Sequence, residues 1–125
     1  MAELQEAELR QRIQFGETST VELKVAVPRH LDLAERFCGM ANAQGGIVII
    51  GVKDVEHTIV GVPDERQAST MDTILRAARV NIKPSLPLDP AEPEVYVLDG
   101  KIVAVHPMRT AGMVLAARLR QTRLL

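Results

Sequence analysis

Aromatic side chains are nearly missing from this chain. Phe15, Phe37 and Tyr96 are the only three, and there is no tryptophan. A core must therefore be built from Val, Ile, Leu and Ala, and recognition by stacking bases on an aromatic platform is disfavoured. Cysteine is reduced to Cys38. That excludes an intrachain disulfide and suits a reducing compartment. No stretch approaches the roughly 20 consecutive apolar residues of a membrane-spanning helix. The first fifteen residues carry Glu3, Glu6 and Glu8 and no apolar run, unlike a secretory signal. A soluble, cytoplasmic protein with no membrane partner is the expectation. An excess of charge is missing too: the formal net charge is −1. Any nucleic-acid contact must then come from a local basic patch, not from the whole surface.

What is present is enough for one core. The 125 residues are 46% apolar, which fits a single domain. Ala2–Phe15 is free of Gly and Pro and rich in helix formers, with Leu9 and Ile13 on one face, so a short helix ending at Gly16 is expected. In Thr20–Val27, the residues Val21, Leu23, Val25 and Val27 alternate with Thr20, Glu22, Lys24 and Ala26. This period of two predicts a strand with one wet face, ended by Pro28. Leu31, Ala34, Phe37, Cys38 and Ala41 mark the buried stripe of a helix over Leu31–Ala43, with capping-box spacing at Asp32 and Glu35 and a stop at Gly45-Gly46.

Ile47–Val52 is a continuous apolar run and reads as a central strand covered on both faces. A polar turn, Lys53–His57, leads to a second strand, Thr58–Val62, so the two predict a hairpin. Met71, Ile74, Leu75, Ala78 and Ile82 give the apolar stripe of a helix over Asp64–Ile82, closed by Pro84 and Pro87. Glu94–Leu98 and Lys101–Val105, joined by Asp99-Gly100, carry the strongest hairpin signal. The segment Pro84–Pro93 reads as a loop or an irregular edge. Met113–Leu124 reads as a basic helix or as a frayed tail, since a helix of about 12 residues is marginal in isolation. The expected class is α+β: a mixed, largely antiparallel sheet of about five strands, with two long helices and a short N-terminal helix.

Three blocks stand out in order: Gly16-Glu17-Thr18-Ser19-Thr20-Val21-Glu22-Leu23-Lys24, then Ala41-Asn42-Ala43-Gln44-Gly45-Gly46 running through the apolar strand to Gly51-Val52-Lys53-Asp54, then Ile59-Val60-Gly61-Val62. Together they resemble the Schlafen-type AlbA domain, whose pattern is G-E-S-x-x-x-E-F-K, A-N-T-x-G-G, a strand ending G-V-x-D, and V-G-V. The likeness covers roughly Gly16 to Val105, with Leu23 in place of the pattern's Phe. Val55-Glu56-His57 stands where a Gly is usual, and Met113–Leu125 lacks the family's last polar strand. It implies three parts: an N-terminal helix over 1–15, the domain over 16–107, and a basic tail over 108–125.

The resemblance implies nucleic-acid binding, DNA favoured over RNA, in a transcription-regulatory setting. In Schlafen ribonucleases, acids at the positions of Glu17, Glu22 and Asp54 form a three-carboxylate site. That implies a metal-dependent endonuclease as an alternative, with Mg²⁺ or Mn²⁺ on oxygen ligands. The plain reading of the same trio is turn capping on a solvated surface. Lys24, Asn42, Gly45, Gly46, Lys53 and Arg29 are the candidate nucleic-acid contacts. Lys24 shares a strand face with Glu22, so it would bind a phosphate or neutralise that acid. Gly45-Gly46 either caps a helix and lets layers pack, or lets backbone N–H groups approach a ligand. Asn42 bridges backbone locally or touches a ligand. Arg29-His30, Arg76, Arg79, Lys83, Lys101 and the tail arginines (Arg109, Arg118, Arg120, Arg123) line a phosphate track or a solvated surface. Cys38 is expected in the core. His57 and His106 are too far from any Cys to suggest zinc, and no P-loop sequence supports ATP hydrolysis. A third reading is an interaction module in which the valine-rich hairpin Val95–Val105 pairs with a second copy.

Overall fold

A computed structural model describes residues 4–80, 82–83, 93–108 and 116–117. Its elements are α1 (Glu6–Phe15), β1 (Val21–Lys24), α2 (His30–Asn42), β2 (Gly46–Ile50), α3 (Asp64–Arg79), β3 (Ile82–Lys83), β4 (Glu94–Leu98), β5 (Lys101–Met108) and β6 (Ala116–Ala117). Four strands make one mixed sheet in the order β1-β2-β5-β4. β1 and β2 run parallel because helix α2 carries the chain back across the sheet. β2–β5 and β5–β4 are antiparallel.

The continuous apolar run does become an inner strand. Ile47 and Ile49 belong to one core, and Val48 and Ile50 to the other. The first core collects Leu9 and Ile13 of α1 with Val21, Leu23, Leu98, Val103 and Val105. The second packs Leu33, Ala34, Phe37 and Ala41 of α2 and Ile74, Ala77 and Ala78 of α3. The sheet is therefore sandwiched, with α1 on one face and α2 and α3 on the other. Cys38 is buried in the second core, as its place on the apolar stripe requires. Long-range ties hold α1 down: Tyr96 donates its hydroxyl to the Leu4 carbonyl at 2.6 Å, and Arg10 reaches Asp99 at 3.1 Å. Asp99 and Gly100 have φ of 53° and 74°, the two positive values that a tight hairpin turn needs.

Several expectations are corrected. Among the described residues the mixed sheet has four strands, where about five are expected. Thr58–Val62 contributes only a single bridge, Val52 to Ile59, because Val60 and Gly61 both donate to the Gly51 carbonyl and Val62 turns to Ile102. β1 stops at Lys24, and Val25 is 47% exposed. α2 begins at His30 with Arg29 at its N-cap and no side-chain cap, so the Asp32/Glu35 capping box does not form. Asp32 pairs with Arg29 instead. α3 ends at Arg79, and Ile82 enters β3. Ala116 and Ala117 are strand, not helix: they pair with Lys83 and Ile82, a tertiary support that a short isolated helix would lack. The rest of 109–125 and the segment 84–92 lie outside the described residues. No helix among the described residues is long and apolar enough to cross a membrane.

Candidate functional site

Glu22 sits on the α2 face of β1, where strand alternation also places Lys24. It is not on a wet face. Glu22 is only 7% exposed, because α2 lies over it. Burying a carboxylate without partners is costly, and this one has two. Arg36 of α2 brings Nε to 2.6 Å from Oε1, and Lys24 brings Nζ to 3.3 Å from Oε2. The two cations are each about half exposed. They border an open groove of about 270 Å³ lined by Glu22, Lys24, Pro28, Asp32, Leu33 and Arg36. Arg29, the residue before α2, pairs with Asp32 of this lining at 3.3 Å.

Glu17 lies on the outer side of the same strand. Its Oε2 accepts the Leu23 N–H at 3.0 Å, a backbone donor that edge strand β1 would otherwise leave open. The Glu17 carboxyl is pushed above the usual carboxylate range. Desolvation is the main cause; the Leu23 N–H opposes it, and the charge of Glu22, a side-chain hydrogen bond with Glu22 and the charge of Asp54 add to it. The three acids are thus in electrostatic reach of one another. Glu17 and Glu22 are in side-chain hydrogen-bond contact, while the Glu22 oxygens also pair with Arg36 and Lys24 and Glu17 Oε2 takes a backbone donor. Among the described residues, no group of three or more His, Cys, Asp or Glu side chains is placed to hold a metal ion.

The remaining candidates are dispersed. Lys53 and Asp54 occupy the exposed turn after β2, where Lys53 pairs with Glu56 at 3.3 Å. Asn42, at the last position of α2, donates from Nδ2 to Cys38 Sγ at 3.5 Å. The Gly45 N–H is bound to the Met40 carbonyl at 2.7 Å, which closes the helix end. At Gly46, φ is 154°, and a Cβ would lie 2.7 Å from the Thr20 carbonyl oxygen. The glycine pair therefore serves helix closure and close packing of β1 on β2.

Arg36 had no place among the candidates, and His106 entered only as too far from any Cys to suggest zinc. Arg36 borders the buried stripe at Leu33 and Phe37, but nothing local announces a partner fourteen residues upstream. His106, on β5, is fully buried against Phe37, with ring centroids 5.3 Å apart. Among the described residues, neither ring nitrogen has a hydrogen-bond partner. The only hint in the sequence is the position of His106 in the apolar β5 run.

Comparison with known proteins places this architecture. The model of the family described as Schlafen, AlbA_2 matches residues 17–121. Among curated proteins there is no match. The fold is similar to that of the DIP2311 protein from Corynebacterium diphtheriae, with a TM-score of 0.61 and 16% identity over 90% of this chain. This chain spans only 23% of that one. It is also similar to the N-terminal domain of a protein from Nitrosomonas europaea described as related to ATP-dependent DNA helicase RecG. There the TM-score is 0.57 and the identity 19%, over 83% of this chain and 72% of that one. With the motif blocks carried on the strand–helix–strand unit and the family match covering most of the residues, the chain belongs to the Schlafen, AlbA_2 family.

Proposed function

We propose that this domain binds nucleic acid, DNA in preference to RNA, through phosphate contacts in the groove between β1 and α2. The observation that carries the reading is the convergence of Lys24 and Arg36, from two different elements, on the two oxygens of buried Glu22. A carboxylate that holds two cations in place reduces the side-chain ordering that phosphate binding would otherwise require. Arg36 still has guanidinium N–H groups to offer, and Arg suits phosphate geometry. Family membership and the similarity to a domain from a DNA-helicase-related protein fit a nucleic-acid-related role. A place in transcriptional regulation is the wider setting we propose.

The aromatic side chains support backbone contact over base stacking. Phe37 is buried, the Tyr96 hydroxyl is tied to Leu4, and Phe15 lies on α1, across the sheet from the groove. Acids inside the groove limit its strength. With Lys24, Arg36 and Arg29 as the phosphate contacts, log K is expected to fall with log salt at a slope of roughly −2 to −3. Arg36→Ala should weaken binding similarly for all sequences and make that slope shallower by about one. Anisotropy titrations of labelled single- and double-stranded DNA and RNA, from low to physiological salt, measure both. Absence of binding at the lowest salt refutes the reading. The same samples, run with Mn²⁺ and with chelator and sized for strand length, address the endonuclease alternative. Metal-dependent shortening that Glu22→Gln abolishes would replace a binding domain with an enzyme using Glu17, Glu22 and Asp54.

A further inference from the structure

The two edges of the sheet differ. Along β1 the chain covers its own edge: Thr18 and Val21 exchange backbone hydrogen bonds at 3.0 and 3.4 Å, and Glu17 takes the Leu23 N–H. Along β4 nothing comparable exists among the described residues. The tight turn pairs Leu98 with Lys101, so Leu98, Tyr96 and Glu94 direct their backbone groups to β5. Val95 and Val97 therefore direct theirs outward, and those groups meet no described residue. The same two side chains are 49% and 63% exposed, on the α3 face of the sheet beside Met71 and Ile102. Beyond Glu94 at its first position, β4 carries neither a charge nor a proline, the usual means of keeping strand edges apart.

We propose that β4 is the pairing edge for a second copy of this chain, antiparallel and related by a two-fold axis at Tyr96. The occupant follows from the strand itself. Val95-Tyr96-Val97 reads the same in both directions, so the two-fold sets Val95 opposite the partner's Val97, and Val97 opposite the partner's Val95. Both are positions with outward backbone groups, so each pair exchanges both ladder hydrogen bonds. The four valines then form one continuous apolar strip across the two sheets. Glu94 meets the partner's Leu98, which keeps the two Glu94 carboxylates from standing directly opposite each other. The β1 edge cannot pair in this way, because its own loop already occupies it. This inference is independent of nucleic-acid binding.

Sedimentation equilibrium across a concentration series up to millimolar tests it on the whole chain. Wild-type protein is expected to show a monomer–dimer equilibrium. Val97→Lys should raise the dimer Kd by at least about tenfold, because it places a charge within the apolar strip on both copies. Val25→Lys, which replaces a valine of similar exposure at the covered edge, should leave the dimer Kd unchanged. Circular dichroism confirms that both variants fold. A wild-type protein that stays monomeric throughout overturns the proposal, as does a dimer equally stable in Val97→Lys.

Discussion

Acidification from pH 7 to pH 4 should remove about 3 kcal/mol of folding stability through His106 alone. Burial pushes this imidazole down from 6.5 to about 4. The unfolded chain takes up the proton near 6.5, while the folded chain refuses it until about 4. The contribution is therefore intact above pH 6.5 and is lost progressively as the pH falls through the window between those values. Desolvation is the whole cause, and no described residue is found to offset a positive charge on the ring. Phe37 is the neighbour across the interface, and both nitrogens lack hydrogen-bond partners among the described residues. Urea denaturation at half-unit pH steps reads this directly. His106→Phe should flatten the profile in that window, and it also removes two unsatisfied nitrogens from the core. A wild-type profile already flat between pH 6.5 and 4 would show that the imidazole is not buried as described. Glu17 acts in the opposite sense. Its raised carboxyl is a strain on the fold when charged, and that strain is relieved as the pH falls through its folded-state value. Glu17→Gln should accordingly steepen the net acid loss seen in the wild type.

Gly46→Val should destabilise the domain by about 3 kcal/mol or more. The backbone there has φ of 154°, and an added Cβ would meet the Thr20 carbonyl oxygen at 2.7 Å and the Met40 methyl at 3.0 Å. The methyl can move. The carbonyl cannot, because it accepts the Ile47 N–H at 2.9 Å in the first contact between β1 and β2. Relieving the clash would separate the two strands at the point where their parallel pairing begins. Gly39 provides the contrast within the same strand–helix–strand unit. It lies on the exposed side of α2, with nothing within 4 Å of an added Cβ. Gly39→Ala should therefore stabilise by about 0.5–1 kcal/mol, since Ala restricts the unfolded chain and favours the helix. Chemical denaturation midpoints of the two variants should move in opposite directions; equal shifts would refute the steric account.

Much of the architecture was readable because its causes are local. The run Ile47–Ile50 has no polar position, so it had to be covered on both faces, and it is. Asp99-Gly100 accepts the positive φ of a tight turn, and the hairpin closes there. The stripe from Ala34 to Ala41 buries one side of α2. The motif blocks identified the family before any coordinates. Errors arose where a partner distant in sequence decided the outcome. Thr58–Val62 has strand composition, yet Lys53, Gly51 and Ile102 of β5 capture its hydrogen bonds one by one. Ile82 continues the helical spacing of α3, yet it pairs with Ala117.

The candidate site divides along the same line. The sequence alone established that Glu22 and Lys24 share a strand face, that a helix follows, and that a glycine pair joins that helix to a buried strand. All of these rest on periodicity or backbone freedom within a few residues. Only the tertiary structure decided that Glu22 is buried, that Arg36 holds its other oxygen, that Glu17 guards a strand edge, and that His106 lies beneath Phe37 without a described hydrogen-bond partner. The burial of Glu22, its pairing with Arg36 and the place of His106 beneath Phe37 depend on how α2 crosses the sheet. Burial and ion pairing come from packing between elements, and the spacing of residues within one element does not encode which partner it will meet.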